Sequence, residues 1–149
     1  MEITKQLYEQ DFYLWLEKTA EYLRVKDTDN LDWDNLILEI ESMGKDKKRE
    51  LKSRLTLILT HLLKWCYQPQ QRPWYGNSWV SNIIEQRTQL NFLLEDSPSL
   101  KPYYQEMFDK CYALARKNAA KETGLSVDIF PQESPFDPET VINPDYLPE

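Results

Sequence analysis

Glycine is nearly absent: the 149-residue chain has three. Glycine-rich phosphate loops, dinucleotide fingerprints and GxSxG nucleophile turns need glycine in fixed patterns, and none of these patterns occurs. Histidine occurs once, as His61. A lone histidine cannot supply the usual multi-histidine zinc set, and no HExxH or ExxH motif is present, so no metal and no cofactor is expected. The two cysteines, Cys66 and Cys111, lie far apart with no CxxC pair, which fits free thiols in a reducing compartment. No apolar run approaches the roughly 20 residues of a membrane span, and "MEITKQLYEQDFYLW" lacks the basic flank and apolar stretch of a signal peptide. The expectation is a soluble, cytoplasmic protein without a membrane partner.

Basic residues are missing after Lys121. All 18 Lys and Arg precede that point, whereas 7 of the 25 acids follow it, so residues 1–121 carry 18 acids against 18 bases. The whole net charge of −7 therefore sits in the final segment and does not exclude an anionic partner for the body.

Aromatic residues, at 13% of the chain, supply large buried areas, which argues for a packed core in a single domain. Phe12, Trp15, Leu16, Thr19, Ala20 and Leu23 recur at helical spacing within residues 8–24. The Asp- and Asn-rich stretch "VKDTDNLDWDN" predicts a loop ending in a helix cap near Asp32. From Trp33 to Tyr67 the stripe Leu36, Ile40, Met43, Leu51, Leu55, Ile58, Leu62 and Trp65 keeps helical phase. One rod of that length, about 52 Å, fits poorly in a compact body about 40 Å across. A break or kink at Gly44, with Asp46 capping a second piece, is therefore expected.

Pro69 and Pro73 predict a turn over "QPQQRPWYGN", after which Asn77 or Ser78 caps a helix with Trp79, Ile83, Leu90 and Leu94 on one face. After "SPSLKP", with Ser99 as cap, a last helix turns Tyr104, Met107, Phe108, Cys111, Leu114 and Ala115 inward and ends at Gly124. Residues 125–149 hold five of the nine prolines. Ile129, Phe130 and Phe136 are too apolar for a free tail, so this segment should lie along the helices, with at most one helical turn after Asp137-Pro138. The fold class is all-α: an antiparallel bundle of four to five helices over residues 1–124, with an acidic, proline-rich extended segment over 125–149 packed on it as part of the same domain.

Arg87 points from the apolar stripe of its helix, so its guanidinium needs a buried partner. Glu39 and Glu41 are the candidates, and with His61 they make up an expected buried polar network. Arg54 and His61 return to nearly one helical face. An arginine beside a histidine can hold a phosphate and move a proton, which resembles the signature of HEPN-type ribonucleases, small helical bundles that cleave RNA as dimers. The polar residue that often follows the arginine in those enzymes is Leu55 here, and the basic run "KDKKRELKSR" reads as a solvated helix face. Cys66 has no motif to frame it as a nucleophile. Trp65, Tyr67, Trp74, Tyr75 and Trp79 read as an aromatic cluster pinning a helical hairpin, each ring contributing about 1.5 to 3 kcal/mol if fully buried.

The ordered blocks "DFYLWLEKTAEYLR", "LILEIESMG", "RLTLILTHLLKWCYQP", "EQRTQL", "DSPSL" and "ETGL", then a proline-rich end, resemble domain of unknown function 29 over residues 5–148. The resemblance implies an all-helical fold found in small bacterial proteins, cyanobacterial above all, often as several paralogues. It implies no activity. Glu39, Glu41, His61, Trp65, Trp79 and Arg87 fall on typical motif positions without a role attached. Together these readings favour a non-enzymatic helical module with a protein partner, a homodimer being one form of it and the acidic tail a segment that could dock in trans. The alternative is a metal-independent, HEPN-like ribonuclease acting on RNA through His61 and Arg54, or another catalytic use of His61 with Arg87 and Glu39.

Overall fold

A computed structural model describes residues 2–149. The chain is all-α, with no strand among the described residues: α1 (Glu2–Gln10), α2 (Phe12–Arg24), α3 (Trp33–Tyr67), α4 (Arg72–Asp96), α5 (Lys101–Thr123) and a single turn, α6 (Pro138–Val141). It divides into two compact units, residues 1–46 and 47–149, with the boundary inside α3.

In the first unit, the helical pattern of residues 8–24 is cut at Asp11, whose carboxylate accepts the Leu14 amide and caps α2. The Tyr8 ring meets Phe12 and Trp15 edge to face across this break, and Phe12 stacks on Trp15 within α2. Trp15 is fully buried and donates its indole N–H to Asp32 at 3.3 Å. Asp32 also caps α3 where the sequence placed it, accepting the Asn35 backbone N–H at 3.5 Å and the Asn35 side-chain amide at 2.7 Å. Tyr8 donates to Glu39, and this bond raises the phenol's pKa.

The expected break at Gly44 is absent: α3 runs unbroken for 35 residues. The boundary between the two units falls at Asp46, within this continuous helix. Gly44 itself costs a helix only about 1 kcal/mol relative to alanine. That is too little to end it.

In the second unit, Leu51, Leu55, Ile58, Leu59, Leu62 and Leu63 of α3 pack with Ile83, Leu90, Leu93 and Leu94 of α4 and with Tyr104, Phe108, Cys111, Tyr112, Ala115 and Ala119 of α5. Short 3-10 turns at Pro69–Gln71 and Pro98–Leu100 join these helices. Arg54 meets Gln86 and Trp65 meets Arg72, so α3 and α4 run antiparallel. Cys111 meets the Lys52 carbonyl and Glu122 meets Lys64, so α5 returns parallel to α3. Gly124, at φ 74°, ends α5 in the left-handed conformation that glycine tolerates best.

The expected turn after Pro69 is shorter than its composition suggests. Helix α4 already starts at Arg72, with Pro73 in the first turn, where its missing N–H breaks no helical bond; Asn77 and Ser78 lie inside the helix rather than capping it. Gly76 lets the helices approach closely there: a Cβ would stand 3.3 Å from both the Trp65 ring and Arg72 Cβ, so a neighbour would have to shift slightly. Ser99 does not cap α5, whose first turn follows Leu100 without a side-chain cap. Leu114, expected inward, is half exposed.

Candidate functional site

The most extensive polar construction lies along the C-terminal segment. A proline-broken stretch leaves carbonyls without helical donors, and side chains of the second unit supply them. Arg116 Nε donates to Phe130 O at 2.9 Å, Tyr112 to Pro131 O and Tyr104 to Pro138 O at 2.6 Å each, and Asn91 to Ile142 O at 2.9 Å. Trp65 donates to Pro148 O, and Arg72 to Glu149 O at 2.8 Å. Between these ties Phe130, Phe136 and Val141 are buried in the core and α6 forms after Asp137, as expected of a segment lying along the helices. The segment is thus docked in cis on the helices of its own unit.

Arg87 is buried as its phase requires, but its partners differ from those expected. Its Nε donates to Val141 O at 2.8 Å and its Nη1 to Pro144 O at 3.5 Å, while Nη2 is sealed in without a partner. Burial lowers its pKa, and the nearby Tyr104 and Tyr146 oppose the shift. Within the first unit, Glu39 accepts from Tyr8 and Glu41 is exposed. Carbonyl oxygens satisfy a guanidinium without the second buried charge that a carboxylate would bring. Burial also pushes the Tyr112 phenol up to about 12 and raises that of Tyr104, so both hydroxyls keep the protons they donate.

His61 is half-buried, its Nδ1 has no hydrogen-bond partner, and burial first, then Lys64, lowers its pKa against the pull of Glu122. Arg54 gives Nη1 to Gln86 Oε1 at 2.9 Å, while its Nε is buried and unpartnered. Five surface cavities stand out, and neither His61 nor Arg54 lines any of them. The Cys66 and Cys111 thiols are both raised by burial, the reverse of what a nucleophile needs. Among the described residues no group of His, Cys, Asp and Glu is placed to hold a metal ion, and no helix is long and apolar enough to cross a membrane.

The five aromatic residues do not form one cluster. Trp65 lies under the Arg72 guanidinium, whose Cζ is 4.0 Å from the ring centre, and Tyr67 meets Phe130 edge to face. Trp79 is buried against Tyr75, while Trp74 stands 74% exposed. Trp65 and Tyr67 lie in the last turn of α3, and because α4 begins at Arg72, Trp74, Tyr75 and Trp79 are distributed around that helix instead of being gathered by a turn.

Apolar surface is unevenly divided. Phe12, Tyr13, Leu16, Leu23, Val25, Trp33, Ile37, Leu38, Ile40 and Met43 are all exposed in the first unit, where Trp15 and Leu31 are the large apolar side chains buried among the described residues. The same unit has 12 acids against 5 bases, a net charge of −7. Hydrophobic periodicity identified several of these residues but assigned their stripe to a core.

The fold and these surfaces define a small all-helical protein with a strapped core and an acidic, apolar-faced N-terminal unit. The family model for "Domain of unknown function DUF29" matches residues 7–147, and the chain belongs to that family. No curated protein and no solved structure matches it.

Proposed function

We propose that the protein is a non-enzymatic, cytoplasmic helical module that binds another protein through its N-terminal unit. The observation that carries this reading is the row of exposed apolar side chains on residues 33–43, set in an acidic surface. Contiguous exposed apolar patches are uncommon on monomers and mark interaction sites. The test is capture from the native host with tagged wild-type chain and with the triple variant Ile37→Ser, Ile40→Ser, Met43→Ser. The reading expects a protein held by the wild type and lost by the variant. Equal recovery by both, or none by either, contradicts it.

A second reading, metal-independent RNA cleavage, draws support from one observation: Arg54 Nε and His61 Nδ1 are both without partners on the same helix. It requires that wild-type protein degrade RNA in EDTA and that folded His61→Ala lose the activity. Equal cleavage by the variant eliminates it.

A further inference from the structure

We infer that the groove between α3 and α5 in the second unit receives the 33–43 helical face of a second copy of the chain. This rests on the interaction-module reading and names its partner.

The groove has a volume of about 670 Å³. Leu57, Met107 and Leu114 are among its lining residues, as are Lys52, Lys110 and Lys117, and no carboxylate lines it. An apolar groove with lysines along it selects an occupant that is apolar on one face and anionic beside it, because a lysine loses least solvation when a carboxylate replaces its water. A neutral apolar helix would leave the ammonium groups unpaired.

The chain carries such an occupant. Trp33, Ile37 and Ile40 follow at intervals of four and three, with Met43 three further on, so they make one stripe along α3. All four are about half exposed. Asp34 and Glu41 fall together on one flank of that stripe, about 80° to 100° around the axis from Trp33. The Asp34 side chain is 90% exposed, with a long contact to Lys5 at 3.9 Å, and Glu41 is exposed. Residues 33–43 span about 16 Å as helix and the 107–118 wall of the groove about 17 Å, so the lengths match.

Charge decides between two ways of covering the stripe. Pairing the N-terminal units of two copies would bring together two surfaces of net charge −7, which repel. Residues 47–121 have 13 bases against 6 acids, and the groove lies among them. Two copies related by a twofold axis make the helix-in-groove contact twice and close the assembly.

Sedimentation velocity of the full chain, from low to high micromolar concentration and at low and high salt, tests this with three variants. They are Lys110→Glu with Lys117→Glu, Asp34→Lys with Glu41→Lys, and all four changes together, each checked for helicity by circular dichroism. The wild type should form dimers that weaken with salt. Each double reversal should raise the dissociation constant by about tenfold or more, and the fourfold exchange should recover most of that loss. A wild type that stays monomeric overturns the inference, as does a dimer indifferent to either reversal or a fourfold exchange no better than its parents. A monomeric wild type that still captures a host protein through Ile37, Ile40 and Met43 would refute the second copy as occupant while upholding the module.

Discussion

The two units spend their side chains in opposite ways. Residues 47–149 turn Leu, Phe and Tyr inward, and their buried arginine and tyrosine donors end on carbonyls of the same unit. Residues 2–46 are held largely by polar ties, Trp15 to Asp32, Tyr8 to Glu39 and the caps at Asp11 and Asp32, while ten large apolar side chains face outward. Residues 47–149 close their own core, whereas residues 2–46 leave apolar side chains open to solvent.

Four perturbations break or sharpen this contrast. Phe130→Ala should cost the most, about 3 to 5 kcal/mol by denaturant titration, because the ring is fully buried between strap and helices. Arg87→Met should cost about 2 to 3 kcal/mol, since it leaves the Val141 and Pro144 carbonyls without their donor. A loss below about 0.5 kcal/mol would show that apolar packing alone holds the segment. The Ile37, Ile40 and Met43 serine variant should change the stability of the dilute monomer by no more than about 0.5 kcal/mol per site. Larger losses would mean that these side chains belong to a core.

The smallest effect concerns pH. The folded-state pKa of His61 lies below its unfolded value near 6.5. The unfolded chain then binds more protons between the two values, so the neutral ring's contribution is complete above pH 7 and falls as pH drops through 6.5. Because His61 is the chain's single histidine, subtracting the profile of His61→Gln isolates it. A difference that is flat between pH 7.5 and about 5.5 would contradict its burial.

Much of the scaffold was legible in residue spacing, and the reasons are local. Asp32 and Gly124 carry their end signals in their own chemistry, and Leu51, Leu55, Ile58 and Leu62 bury the face that their phase indicates. Failures came where a distant partner decides. Gly44 carries the local signature of a helix stop yet lies inside α3, and Gly76 sits in a turn-like composition while the Trp65 ring packs close to it across the hairpin. Arg87 was read as buried, yet a carboxylate was sought for it, since carbonyls freed by prolines more than fifty residues away leave no periodic mark. Tyr104, Tyr112 and Arg116 were missed as ties for the same reason; the signal available was a helix-poor segment whose carbonyls had to find donors. At residues 33–43 periodicity gave the stripe but not its direction, because an apolar face reads alike whether it meets its own core or another protein.

Hydrogen exchange at low and high protein concentration tests that direction most directly. If the 33–43 face is covered by a second copy, amides of residues 33–43 and 107–118 should exchange more slowly in the concentrated sample, while those of residues 83–94 on α4 stay unchanged. Identical protection at both concentrations would contradict the account.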